Sequence, residues 1–321
     1  THTGVLISAS SDLAGITVRD SFVRGMALAN PATPSFHLAH GIFAITGFPG
    51  ARDTISGLVV QGKDVWSIGI GHAVAGVGVH VATVAGVAPG DGALVTGNVF
   101  RSLATRDVHP NIGTAVAVDF GTDDLLGVPL TPSSGVSVTG NTYVNAQAGV
   151  IVNATASTVS EPGTSFSGVP WLVVNVGRHA TIDVPALGRH ATSNLLTGFV
   201  DTTGYFATIQ AAVDATPASA EVRPTADTVA ESPILSRGVQ LLGPRVGEDG
   251  RTRDPLLGET TISLGLRIRA EGAIVDGVSV TNPGGVAIHA DQNAASAVVR
   301  NVRVASARRG IALDRAPSAT G

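Results

Sequence analysis

The sequence predicts an all-β protein made of short parallel strands stacked in repeating turns, with one short helix. Three observations carry this. Aliphatic residues recur in runs of roughly three to five, separated by Gly, Asn, Asp or Pro. Hydrophobic residues make up 44% of the 321 positions but aromatics only 4%, so a large core has to be built from Val, Ile, Leu and Ala. Forty glycines and seventeen prolines supply the many turns such a chain needs.

Taken in order, Gly4 to Ile7 reads as a strand that begins in mid-pattern, with no cap or initiator segment before it. The next phrase is Leu13, Ile16, Val18, a turn at Asp20, and Phe22, followed by Gly25-Met26-Ala27-Leu28. Similar phrases lie at 55–60, 93–100, 136–143 and 171–176. Val95-Thr96-Gly97-Asn98-Val99-Phe100 and Val138-Thr139-Gly140-Asn141-Thr142-Tyr143 match at an offset of 43 residues. Asp20 and Phe22 repeat the polar-then-aromatic step. The pattern predicts a turn ladder of Asp20, Asn98 and Asn141 whose side chains satisfy backbone groups, with Phe22, Phe100 and Tyr143 packed two residues on. Excursions interrupt the phrases at 30–34, in the Gly-rich stretch 73–92, and most extensively at 101–134. Beyond Val176, Arg178-His179-Ala180 and Arg189-His190-Ala191, with Pro185 between, read as a linker.

The helix is expected near 205–215. Asp201 to Thr203 offers N-cap side chains, Phe206, Ile209, Ala212 and Val213 form one apolar face, and Pro217 stops the helix. Short strands follow at Ala220 and Val222, Val229, Ile234-Leu235, Val239, and Leu241-Leu242 ahead of Gly243. This succession, with Pro224, Glu231, Pro233, Gly238 and the later Glu259-Thr260-Thr261-Ile262, resembles the opening of a right-handed parallel β-helix of the pectate-lyase-like superfamily. The resemblance is strongest over 200–321. It implies a solenoid whose first coil is closed by the helix, and it says little about chemistry. Coils resume at 274–280 with 285–288, and at 297–304 with 310–313.

Read from Gly310 through Gly321 into Thr1, the coil pattern continues. Val280 to Val304 spans 24 residues, Val18 to Val60 spans 42, Val60 to Val95 spans 35, and Val304 to Val18 across the join also spans 35. The expectation is therefore that 1–198 forms the C-terminal portion of a β-helix and 199–321 its helix-capped N-terminal portion, continuing into 1–198 of the next or the same unit. Tandem repeats, separate subunits associating head to tail, or a circular permutant would each produce this. The permutant needs a taut linker of about 60 Å along some twelve coils of about 4.8 Å, so the polymeric arrangements are preferred. The seam would involve Val5, Ile7, Ile16 and Val18 on one side and Val302, Val304, Ile311 and Leu313 on the other. A head-to-tail contact that does not close makes a filament. The leading expectation is a structural unit of a secreted or cell-surface filament, stalk or adhesin, its partners being identical units.

Other classes fare less well. The formal charge of −4 disfavours nucleic acid. Cysteine is absent, which removes disulfides and thiolate metal sites, and no run of eighteen apolar residues predicts a membrane span. A polysaccharide lyase, hydrolase or epimerase is the alternative that the resemblance implies. Its weak candidates are Asp119, Asp123, Asp124 and Arg106, near Arg101 and His109, since hydrolysis needs paired carboxylates and uronate lyases a base beside calcium. The phrases associated with those families, Asn-Thr-Asp, paired Asp before Gly-His-Gly, and Asp-Pro-His, do not occur; Gly71-His72 is only a fragment. A passive module binding a surface polysaccharide would want an aromatic row, but Trp66, Trp171, Tyr143 and Tyr205 lie in strand phrases or at the helix start. His37 and His40 fall in an alternating phrase unsuited to a shared metal, and Gly69 to Gly78 lacks the strand, lysine and helix of a nucleotide loop. No cofactor or metal is expected.

Overall fold

The computed structural model describes residues 2–9, 12–20, 22–24, 38–46, 55–66, 75–81, 84–101, 115–120, 122–123, 128–129, 133–146, 148–160, 162–176, 180–183, 190–193, 203–253 and 258–314. It is all-β, 55% strand with most pairs parallel and one short helix. The chain divides into two compact units, Thr1–Leu187 with Leu196–Thr203, and Gly188–Leu195 with Gly204–Gly321.

In the first unit, successive tiers of three short strands lie on one another. First strands Thr17–Arg19, Leu58–Gln61, Ala93–Thr96, Val136–Thr139, Thr158–Ser160 and Thr181–Asp183 form one row. Second strands Phe22–Arg24, Asp64–Trp66, Val99–Arg101, Thr142–Val144 and Ser165–Ser167 form another. Third strands His2–Ala9, Leu38–Thr46, Ala75–Val81, Ala115–Phe120, Ala148–Val152 and Trp171–Asn175 form the last. In-register parallel pairing sets like residues above one another: Val18, Val60, Val95, Val138 and Val159 make one column, Ile42, Val79, Val150 and Val173 another. Most of these are fully buried. The 43-residue offset seen in the sequence is one such step, Val95 against Val138 and Phe100 against Tyr143.

The turn ladder is present, shifted at its first tier. Asn141 Nδ2 donates to the Val95 carbonyl (2.9 Å), and its Oδ1 accepts from the Asn98 backbone N–H (3.0 Å) and Asn98 Nδ2 (2.9 Å). Asn98 Nδ2 in turn donates to the Val60 carbonyl, and its Oδ1 accepts from the Lys63 N–H, both at 3.0 Å. The next rung is thus Lys63, the chain's single lysine, 2% exposed. Asp20 belongs one position earlier, with Gly62, Gly97 and Gly140, where φ is +50° to +63°. Aspartate tolerates that left-handed conformation, so a bend that elsewhere reads Gly-Asn reads Asp-Ser here. The aromatic step moves with it. Val23, Val65, Phe100, Tyr143 and Phe166 share the inward column, with ring centroids 5.5 Å apart for Phe100–Tyr143 and 4.7 Å for Tyr143–Phe166, whereas Phe22 points outward and is 66% exposed.

Three stretches expected to be irregular contain strands. Ala75–Val81 is a full third strand inside the Gly-rich 73–92, paired on both sides. Ala115–Phe120 is a full third strand inside 101–134, paired on both sides. The expected linker holds Thr181–Asp183, which extends the first row, and His190–Ser193, which pairs antiparallel with Glu221–Pro224. The linker strands are short and polar and carry little hydrophobic signal, whereas Ala115–Phe120 is an apolar phrase set inside a polar excursion. The 30–34 excursion lies outside the described residues.

The second unit repeats the plan. Val222, Leu241, Val275 and Val299 make one inward column, Val229, Ile262, Val280 and Val304 another, and Leu235, Ile268, Ala290 and Leu313 a third. The helix is Ile209–Ala215, with Thr208 as N-cap accepting from the Ala211 N–H at 3.0 Å; Thr203–Phe206 before it is a strand. The expected start and the cap at Asp201–Thr203 were therefore too early, because the apolar spacing from Phe206 onward fits the strand end as well as the helix. The predicted face is correct: Phe206, Ile209, Ala212 and Val213 are fully buried. Glu231 and Gln210 tie the helix to the strands. Glu231 Oε2 accepts from the Ile209 N–H (2.8 Å) and Gln210 N–H (3.4 Å), satisfying donors that a helix leaves open and placing negative charge at its positive end. Gln210 Oε1 accepts from the Ile234 N–H (2.7 Å) while its Nε2 donates to the Ile234 carbonyl (3.3 Å).

Two stability tests follow from these contacts. Glu231→Ala is expected to cost about 1–2 kcal/mol, seen as a lower midpoint in thermal unfolding followed by circular dichroism; an unchanged midpoint would remove the helix-locking role. Burial disfavours the Lys63 ammonium and lowers its pKa, with Asp20 opposing. Lys63→Asn, which continues the asparagine column without a buried charge, is expected to raise the midpoint, and a fall would show that the ammonium is fully compensated.

Candidate functional site

The described residues concentrate exposed apolar side chains on the first and last tiers. Of eight large hydrophobics that are exposed, five lie there: Leu6 (61%), Phe22 (66%), Val298 (40%), Ile311 (54%) and Leu313 (76%). The inward columns change in the same places. Val60, Leu58, Ile42 and Ala44 are wholly buried, but Val18, Ile16, Val5 and Ile7, the members of those columns one tier out, are half-buried. Val278, Val280 and Ile288 are wholly buried, while Val302 and Val304 are half-buried and Ile311 exposed. All eight residues predicted to flank a seam stand in these positions. Among the described residues, no strand pairs with the outer edges of Thr17–Arg19, Phe22–Arg24, Val298–Arg300 or Arg303–Leu313.

Strand type can be read at both edges. A residue with positive φ follows four first strands of one unit, Asp20, Gly62, Gly97 and Gly140, and two of the other, Gly277 and Asn301. By this turn, with the second strand beginning two residues further on, Val299 is the counterpart of Val18 and Val304 of Val23. The sequence comparison of Val304 with Val18 therefore set different strands against each other.

Two polar clusters lie in the second unit. Asp276, fully buried, accepts from Arg300 Nε (2.7 Å), Asn301 Nδ2 (3.0 Å) and the Gly247 N–H (3.1 Å), fixing the 243–250 loop to two tiers. Burial opposes its ionisation, but these donors outweigh it and hold its carboxyl below the usual range. On the outer face of the third strands, Asp291 receives Arg267 Nε at 2.8 Å and Arg269 Nε at 3.1 Å, and His289 Nε2 lies 3.0 Å from Asp314 Oδ1. Arg267 above all depresses the Asp291 carboxyl. His289, Asp291 and Asp314 bring ligand atoms within 4.8 Å of one another, a spacing that could hold a cation. The two guanidiniums already occupy both oxygens of Asp291. The sequence signal was available in Arg267-Ile268-Arg269 and His289-Ala290-Asp291, alternating charges on adjacent strands, but it is legible only once the pairing of 267 with 289 is known.

Of the weak enzyme candidates, Asp119 and Asp123 are among the described residues. Asp119 is within the Ala115–Phe120 strand rather than a loop, paired in register with His80 and Ile151; Asp123 ends a two-residue strand paired antiparallel with Val128–Pro129. Arg106, His109 and Asp124 lie outside the described residues. No helix is long and apolar enough to cross a membrane. Comparisons with protein-family models, curated proteins and solved structures find no match.

The depressed carboxyls set a pH dependence. Stability contributed by Asp276 and Asp291 is fully present above their unfolded pKa of about 3.9 and is lost as pH falls through their lower folded values. Thermal midpoints measured from about pH 5 down to about pH 2 should fall for the native chain. Asp276→Asn should melt lower at neutral pH and lose less on acidification; parallel curves would exclude Asp276 as a contributor.

Proposed function

We propose that this chain is a right-handed parallel β-helix unit of an extracellular filament, stalk or adhesin, lengthening by the addition of tier to tier between identical units. The observation that carries the reading is the gathering of exposed aliphatic side chains and unpaired strand edges on the first and last tiers, where inward columns that are sealed elsewhere come open. Parallel strand edges expose regularly spaced backbone donors and acceptors, and another strand satisfies them by β-augmentation. An aliphatic core with few aromatics and no cysteine suits a load-bearing stack better than a ligand groove. The polysaccharide-enzyme alternative is weakened by chemistry. A general acid needs a raised pKa, and Asp291, the carboxylate best placed beside a second one, is held ionised by Arg267 and Arg269.

Electron microscopy and sedimentation of the purified chain test this directly. Rods with a regular axial repeat that grow with concentration are expected. Leu313→Asp, on a side chain already 76% exposed, should leave the thermal midpoint near native and reduce assembly at least tenfold, since a buried unpaired charge opposes the contact. Dispersed particles at every concentration, or rods indifferent to Leu313→Asp, would overturn the proposal.

A further inference from the structure

Strand type and charge together specify how such a contact is registered. We infer that the last tier of one copy docks on the first tier of another with like strands apposed, placing Asp20 over Asn301 and Phe22 over Arg303, and that residues 309–313 take the edge of Leu38–Thr46 which His2–Ala9 otherwise holds. The inference rests on the assembly reading above.

Three observations lead to it. The first is apolar matching: Val299 and Val304 of the last tier are half-buried, and so is their first-tier counterpart Val18, with Val23 closing the second column. Stacked like on like, they continue columns that are fully buried elsewhere in each unit. The second is charge. The tier 297–314 carries Arg300, Arg303, Arg308 and Arg309 against one carboxylate, Asp314, in a chain whose net charge is −4. Arg300 is engaged by Asp276, but Arg303, Arg308 and Arg309 form no ion pair among the described residues. In the apposed register the Asp20 carboxylate, 78% exposed and 3.7 Å from Arg19 Nε, sits between Arg300 and Arg303, where it bridges the cationic pair made by Arg19 over Arg300 and adds Arg303 as a partner.

The third observation is the third strand. Gly4-Val5-Leu6-Ile7 and Gly310-Ile311-Ala312-Leu313 share one pattern and one strand type. With first and second strands in contact, both claim the same place beside Ile42 and Ala44, which Val5 and Ile7 now cover. Replacing Val5 and Ile7 by Ile311 and Leu313 exchanges like for like in the core, so the gain on the other two rows is not offset by a lost column. The seam is then a strand exchange between copies.

The absence of cysteine makes the register measurable. Thr17→Cys and Val298→Cys chains, both changed at exposed outward positions, are mixed and mildly oxidised; apposed strands put their Cα atoms about 4.8 Å apart, within disulfide reach. The expected product is a disulfide dimer of the 32.2 kDa chain, absent when Ala305→Cys replaces Val298→Cys. Arg303→Glu should cut its yield several-fold and remove its sensitivity to salt. Hydrogen exchange at residues 4–9 should accelerate on assembly. If sedimentation shows rods but the mixed chains do not cross-link, or residues 4–9 stay protected, the register is wrong while the assembly reading stands; if no rods form at all, both fall.

Discussion

Everything in this structure depends on parallel strands pairing in register with the strand one tier away. Because each strand hydrogen-bonds only with its neighbours above and below, the core is a set of columns, each extended by one residue per tier. Phase is therefore the governing constraint. A displacement of one residue would turn a whole aliphatic column outward, and the buried amides of Asn98 and Asn141 punish such a slip further, since each satisfies backbone groups of the neighbouring tier. The same arrangement leaves an outermost tier with half of its backbone groups and columns unfilled.

Much of this was legible in the sequence, and the failures share a cause. The paired phrases around Asn98 and Asn141, the aliphatic alternation and the apolar face of the helix were all readable, because they repeat a residue type at a fixed phase. Asp20 was misplaced by one residue: its bend uses aspartate where other tiers use glycine, so the polar residue that looked like the ladder rung was the turn itself. Lys63, the actual rung, gave no signal because lysine is the last residue expected in a buried column. Ala115–Phe120 alternates Val116, Val118 and Phe120 but was lost inside a long polar excursion, whereas His190–Ser193 is a strand that its pairing partner rather than local pattern creates.

The polar groups fall into two physical regimes. Asp276, Asp291 and Glu231 are acceptors surrounded by donors, and they fasten loops, tiers and the helix. Their invisibility to sequence reasoning is instructive, since Arg267 and Asp291 are 24 residues apart and meet only through strand pairing. Arg303, Arg308 and Arg309 of the last tier belong to the other regime. Among the described residues no carboxylate neutralises them, a state that is tolerable at a wet surface and favourable against an acidic or aromatic one.

Burial of Lys63 has a consequence for the whole surface. With the only lysine 2% exposed, every other basic side chain except histidine is an arginine. Arginine keeps its charge at any pH the fold survives, offers a planar fork to carboxylates and stacks on rings. The positive face of this molecule is in effect a fixed, non-titrating pattern of flat guanidiniums, indifferent to alkaline conditions that would silence ammonium groups and closed to the acylation and aldehyde chemistry by which surface amines are ordinarily modified.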